Sequence, residues 1–297
     1  MNRRNFIATS ATALVAAQLQ ANPLLSTNEE AENGLRLRFL GTGAADWNGR
    51  DERGELRRLS SVLLDNRILI DFTKTAMDMV PEGLKPEIIF YTHSHGDHFN
   101  AEAALTLGIR TAYVSETWWD QAEKSFLAAS KKLEKEMPLV IPVCTGQPIP
   151  LGDITFTPLP ANHATSYMRE QALLYLVEKA EVRLLYATDT GGLPAVAARM
   201  AGIDAHVPGK GITALVMEAT MGLEHDIDFR LYTHSSVAMV KKTVDVLTST
   251  KRYTPRSNQP VYLTHMARSL HGTQAELDAN LPSPLKAAYD GLEIVLM

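Results

Sequence analysis

The chain has 297 residues, 45% hydrophobic and 21% charged, which excludes a low-hydrophobicity disordered chain and allows a sizeable core. A net charge of -5 excludes a broad electrostatic attraction to nucleic acid or anionic lipid. The single cysteine excludes an internal disulfide and a cysteine-based zinc cluster. Cys144 sits in the turn-rich stretch Pro142–Pro148 and reads as a small buried or loop residue.

In chain order, Arg3-Arg4 precede Phe6-Ile7 and an Ala-rich apolar run through Leu19, with no acidic residue before Glu29. This order of basic, apolar and small residues predicts a twin-arginine export signal over 1–25 and a periplasmic location. Ala16, Ala17 and Ala21 are the small residues near a cleavage site. Gln18 and Gln20 interrupt the run, so no stable membrane insertion is expected after signal removal. Residues 26–34 read as a polar linker, and 35–297 as one folded domain.

Leu35–Leu40 alternates as a half-buried strand, and Gly41–Gly43 turns the chain. Gly41 and Gly43 lack the third glycine and helix start of a dinucleotide site. Ser61–Leu64 and Arg67–Asp71 flank Asp65-Asn66, a two-residue hairpin signal. Further strands are expected at Ile88–Thr92, Ile154–Leu159, Val261–Thr264 and Leu292–Leu296, with a second hairpin over Gln171–Glu178 and Val182–Thr188. Helices are expected near Ala101–Leu107 and over 116–136, 193–201 and 235–248, the second of them ended by Pro138. Hairpins interrupted by helices, without a strict βαβ rhythm, argue for an α/β (α+β) layered domain.

The chemistry is concentrated in Thr92–His98. Four ligand-type side chains, His93, His95, Asp97 and His98, fall within six residues directly after a predicted strand. Alternate residues of an extended segment share a side, so His93 and His95 can meet one metal. Asp97 and His98 lie just beyond, where the chain turns into a helix and can meet a second; Gly96 supplies freedom for that turn. Imidazole suits Zn, Mn and Fe, and a carboxylate broadens the choice toward harder ions. A His-rich surface loop is the bland alternative, and four ligands at this spacing weigh against it.

The H-x-H-x-D-H pattern resembles that of the metallo-β-lactamase superfamily. Phe39–Gly43 resembles the opening strand and turn of its phosphodiesterase branch, and Ile68–Asp71 its buried hairpin with a supporting aspartate. Asn162-His163, Ala187–Thr190 around Asp189, and Thr264–Met266 around His265 fall in the places of its remaining ligands. The resemblance covers roughly 35–297 and implies an αββα sandwich. It also implies two divalent metals, Zn2+ first with Mn2+ or Fe as alternatives. His93, His95 and His163 would hold one metal, Asp97, His98 and His265 the other, and Asp189 would bridge them. His234, in Tyr232–Ser236, resembles the general-acid histidine of tRNase Z and of phosphoribosyl cyclic phosphodiesterase; a place near a helix cap is the bland reading.

These readings lead to a phosphodiesterase that uses a two-metal-activated hydroxide on a small or cyclic, anionic diester. Asp97 would bind metal and orient the nucleophile, and His234 would protonate the leaving group. The alternatives are a lactone, ester or β-lactam hydrolase on the same metals, and a metal-binding protein without catalysis. Nucleic acid is not an expected partner, and the reading leaves room for a homodimer. Arg57-Arg58 reads as a solvated charged loop, with approach to an anionic substrate implied by the resemblance. Trp118-Trp119 reads as helix packing or pocket lining. His206, His225 and His271 are assigned no role.

Overall fold

The computed structural model describes residues 34–204, 206, 209–256 and 259–297. The predicted export signal and nearly all of the predicted linker lie outside them. The first sheet gathers β1 (Leu35–Gly41), β2 (Ser61–Leu64), β3 (Ile68–Ile70), β4 (Ile88–Phe90), β5 (Thr111–Ser115) and β6 (Leu139–Val143). The second gathers β7 (Ile149–Leu151), β8 (Ile154–Pro160), β9 (Leu173–Lys179), β10 (Val182–Ala187), β11 (Ala214–Glu218), β12 (Val261–Thr264) and β13 (Leu285–Ala287). The last strand, β14 (Glu293–Leu296), returns to pair with β1. The helices are α1 (Ala101–Leu107), α2 (Trp119–Leu133), α3 (Ala195–Met200), α4 (Val237–Ser249) and α5 (Gln274–Asn280).

The two sheets face one another across an apolar layer. Phe90 stacks on Tyr113 at 4.3 Å and on Phe156 of the opposite sheet at 4.1 Å, with Tyr175 edge-on at 5.5 Å. The outer face of the first sheet, including Leu63, Leu69 and Ile89, packs with Ala104 of α1 and Phe126 of α2. The outer face of the second, including Leu174, Leu185 and Leu215, packs with Ala197 of α3 and Val240 of α4. The result is the αββα sandwich that the resemblance implied.

Local chemistry explains most boundaries. Asp65 and Asn66 adopt φ of 44° and 57°, as a two-residue hairpin turn between β2 and β3 requires. Asn100 caps α1 by accepting from the Ala103 N–H at 2.8 Å. The helix expected over 116–136 is shorter: 116–118 form a turn, and Glu134 ends α2 in the left-handed conformation well before Pro138. Both tryptophans serve packing, since Trp118 is buried and Trp119 Nε1 donates to the Val140 carbonyl.

The Arg57-Arg58 segment is not a solvated loop. Arg57 is buried and donates to Thr42 Oγ1, to the Ala288 carbonyl and to Gln274 Oε1, each at 2.7 Å. Asp290 accepts from Thr42 N–H and Arg58 N–H. This buried charge network locks the opening turn, and its arginine is consumed by the fold. Gly41 is required there, because a Cβ would lie 2.0 Å from the Leu59 carbonyl oxygen.

Strands β3 to β6 run parallel, as do β10 to β13. Strand β8 pairs antiparallel with β9, and β9 with β10, so β8 runs in the direction of β10. The loops leaving the carboxyl ends of β4, β8, β10, β11 and β12 therefore emerge where the predicted ligands lie.

Candidate metal centre

All seven predicted ligands converge. Ligand-capable atoms of His93, His95 and His163 form one group within 4.8 Å of one another, and those of Asp97, His98 and His265 form another. His93, His98 and Asp189 form a third group that joins the two. Asp189 Oδ2 is 2.8 Å from His98 Nε2 and 3.3 Å from His265 Nε2, while Oδ1 is 3.8 Å from His163 Nε2. Asp189 thus stands between the groups.

The backbone is bent to achieve this. Asp71 and His265 directly follow β3 and β12, Asp189 stands two residues past β10, and the three adopt left-handed φ of 56°, 51° and 51° for Asp71, His265 and Asp189. A non-glycine residue in that region costs about 1 kcal/mol or more, and such strain persists where surrounding contacts over-determine it. Gly96 behaves otherwise. Its φ lies outside the left-handed region and open space surrounds its Cβ position. The turn is closed instead by the His98 and Phe99 N–H groups, which both donate to the His95 carbonyl.

Neighbours fix which nitrogen each ring presents. His98 Nδ1 lies 2.7 Å from Asp71 Oδ2, and Asp71 also accepts from Thr92 N–H and Oγ1. His163 Nδ1 donates to the Thr233 carbonyl at 3.1 Å, and His265 Nδ1 lies 2.9 Å from Thr220 Oγ1. Each Nε2 is thereby turned inward, the arrangement that orients metal-binding imidazoles. His95 presents Nδ1, which lies 3.2 Å from His163 Nε2. His93 Nε2 is buried without a hydrogen-bond partner, and His98 Nε2 faces only carboxylate oxygens, Asp189 Oδ2 at 2.8 Å and Asp97 Oδ2 at 3.4 Å. Inward-facing nitrogens among buried carboxylates are what a divalent cation would satisfy, so the residues fit metal ions.

Charge leads to the same place. Asp71, Asp97, Asp189 and Glu218 are all buried, and buried anions need positive partners. Burial pushes the His93 imidazole well below its ordinary pKa, with His98 adding to the effect, so His93 is neutral, the form that binds metal. For His98, burial opposes charge, yet Asp189, Asp97 and Asp71 raise its pKa well above the usual histidine value. Asp71 faces Nδ1, while Asp189 and Asp97 both face Nε2, the place where a cation would balance their charge.

His234 joins the site from the loop before α4, two residues ahead of the Ser236 N-cap, and its ring stacks on that of His265. Its Nδ1 lies 3.2 Å from Glu218 Oε1, 3.1 Å from Thr220 Oγ1 and 3.6 Å from Asp189 Oδ1. Burial opposes its charge, but Glu218, Asp189 and Asp97 outweigh burial and raise its pKa to about 9.

Three supporting residues are absent from the sequence reading. Glu218 ends β11, is fully buried and accepts from the Thr190 N–H at 2.5 Å and from Thr220. Its signal was a carboxylate closing the apolar run Ala214–Met217. Thr220 links His234 and His265. Glu170 accepts from Ser94 N–H at 2.7 Å and from Ser94 Oγ at 2.6 Å, clamping the residue between His93 and His95; no local pattern announces it. Of the unassigned histidines, His271 is buried and its Nε2–H donates to the Ala219 carbonyl at 2.6 Å. Cys144 is a partly exposed loop residue donating to Glu116.

The family model for the beta-lactamase superfamily domain matches residues 66–266, a span that holds every one of these ligands. The chain belongs to that superfamily. With the histidine–aspartate cluster just described, it is a metal-dependent hydrolase of the beta-lactamase superfamily. Among solved structures it is similar to Zn2+-bound PqqB from Methylobacterium extorquens, at 16% identity and a TM-score of 0.63, covering 87% of this chain and 99% of that one. It is also similar to the metallo-beta-lactamase fold protein YhfI from Bacillus subtilis, at 13% identity and a TM-score of 0.60 over 88% and 99% of the two chains. Yeast PDE1 matches at 10% identity and a TM-score of 0.57 over 89% and 99%. At these identities the likeness is one of fold. No curated protein sequence matches the chain significantly.

Proposed function

We propose that the protein is a binuclear metal phosphodiesterase acting on a small or cyclic, anionic phosphodiester. The observation that carries this reading is the His234–Glu218 pair, in which a fully buried carboxylate 3.2 Å from Nδ1 fixes the imidazole beside Asp189 and favours its charged form. Hydrolysis of a diester expels an alkoxide, a poor leaving group that needs a proton as the bond breaks. Bound divalent cations, with Zn2+ as first choice, would supply Lewis acidity and a water of lowered pKa. His93, His95 and His163 would hold one cation, Asp97, His98 and His265 the other, and Asp189 would contact both. Glu218 fixes the His234 ring through Nδ1 and favours its charged form. That leaves Nε2–H as the proton carried toward the leaving oxygen. Asp97 would orient the attacking water. The export signal would deliver the enzyme to the periplasm, already folded around its metals.

The experiment is turnover of a cyclic alkyl phosphodiester, which expels an alkoxide, beside bis(p-nitrophenyl) phosphate, a lactone and a β-lactam, by wild type and His234→Ala. Losing a general acid costs on the order of 10²–10⁴-fold where the leaving group needs a proton. Activity on the alkyl diester falling by that factor, with metal content unchanged and a much smaller loss on bis(p-nitrophenyl) phosphate, whose p-nitrophenolate leaves unprotonated, supports the assignment. Lactone or lactam turnover indifferent to His234→Ala would move the assignment to carbon–oxygen or carbon–nitrogen ester-type bonds on the same metals.

A further inference from the structure

The walls of this site carry side chains that a small polar substrate does not need. Among the described residues, half of the exposed large apolar side chains lie within 167–168 and 223–232. Met168 and Ile227 are fully exposed, Tyr232 is 80% exposed and Phe229 78%. Single exposed apolar residues are ordinary, but clusters mark places where something binds.

Both segments are rooted in the metal centre. The first lies in the loop from β8 to β9, between His163 and Glu170, the clamp on Ser94. The second leads from β11 to His234. They meet at their bases, where His163 Nδ1 donates to the Thr233 carbonyl and Asn162 Nδ2 to the Tyr232 carbonyl. Neither is frayed. Phe229 and Tyr232 sit on a short 3-10 turn whose first N–H groups are capped by Asp228, and Arg230 lies 5.0 Å over the Phe229 ring. Glu170 N–H and Thr165 Oγ1 both bond the Tyr167 carbonyl and close the other loop. Apolar groups are therefore held out in water on turns built to hold them, at the mouth of a hydrolytic centre.

We infer that these two loops form a subsite for an apolar alkyl or aryl group on the substrate ester. The occupant is part of the substrate because both turns stand on the site itself: Asn162 and His163 bond the Tyr232 and Thr233 carbonyls, and His234 follows directly. This inference rests on the hydrolase reading above and adds to it a substrate class: an ester with an anionic head and an apolar substituent.

The test compares p-nitrophenyl methyl phosphate with p-nitrophenyl hexyl phosphate as substrates, and methylphosphonate with hexylphosphonate as calorimetric ligands, on the metal-loaded full chain. Burying two or more methylenes gives a preference of about tenfold or more for the hexyl compounds. The triple variant Met168→Ser, Ile227→Ser, Phe229→Ser should lose that preference and keep its rate on the methyl ester, while Phe229→Leu should retain the preference. Equal binding of the two phosphonates by wild type overturns the inference, as does binding of neither. So does a triple variant that keeps the preference, or one that becomes monomeric while the wild type is dimeric, which would place a second copy on the patch. Preferential hexylphosphonate binding without turnover of either diester would sink the phosphodiesterase reading and leave the subsite standing.

Discussion

The middle of the sandwich and the end that carries the metal centre are both buried, but they are built on opposite rules. In the middle, Phe90, Tyr113, Phe156 and Tyr175 meet face to face or edge to face, and the buried Tyr175 hydroxyl is satisfied by the Tyr91 carbonyl. At the end, four carboxylates crowd six histidines, three residues just past strand ends take left-handed backbone, and the buried His93 Nε2 has no partner. The first arrangement supplies free energy to the fold. The second consumes it, and exists because a cation can return it. Stability and function should therefore be separable by mutation.

Phe156→Ala should draw that line most widely. Removing a buried aromatic costs about 3–5 kcal/mol of stability. Denaturant unfolding should show that loss, while metal per folded chain and kcat stay near wild type. A loss of metal binding in the folded variant would mean that the core and the site are one cooperative unit.

His271 tests the border between the two regions. Burial, with Arg57 adding to it, lowers its pKa to about 4, against a backbone hydrogen bond to Ala219 that raises it. Its unfolded value is about 6.5, so the unfolded chain binds the extra proton first as pH falls. Its contribution is complete above about pH 6.5, is lost progressively as pH falls toward 4, and amounts to roughly 3 kcal/mol. Unfolding of wild type and His271→Asn across that window should differ in slope; identical slopes would refute the assignment.

Glu170 sharpens the comparison from the functional side. Supports of metal ligands are worth roughly 10- to 100-fold in metal affinity. Glu170→Ala should weaken binding by that factor, read by chelator competition, with partial rescue in Glu170→Gln. Equal affinity would reduce the Ser94 clamp to loop trimming. The smallest effect belongs to Gly96→Ala, expected within about 0.5 kcal/mol and with unchanged metal content, because that glycine uses none of its freedom.

How much of this was legible depended on whether the signal was local. The Thr92–His98 cluster was readable because four ligands share one turn, and the Asp65-Asn66 hairpin because a two-residue turn dictates its residues. The strands β5 and β11 were not, since short buried parallel strands lack alternation, and the edge strands β6 and β13 were not, since three to five residues carry too little pattern. With β11 went Glu218, whose meaning comes only from meeting His234 across 16 residues of chain. Arg57 was misread because charge alone says nothing of burial; its three acceptors come from distant parts of the chain. Gly96 was given a conformational role that its backbone does not use.

The central claim is that the two groups of inward-facing ligands, joined by Asp189, each hold a cation. Metal content of the purified full chain, measured by elemental analysis after saturation with Zn2+ and removal of excess, tests it most directly. Two ions per chain, with at least one lost in Asp189→Ala, is the predicted result. One ion or fewer in the wild type would contradict the binuclear centre.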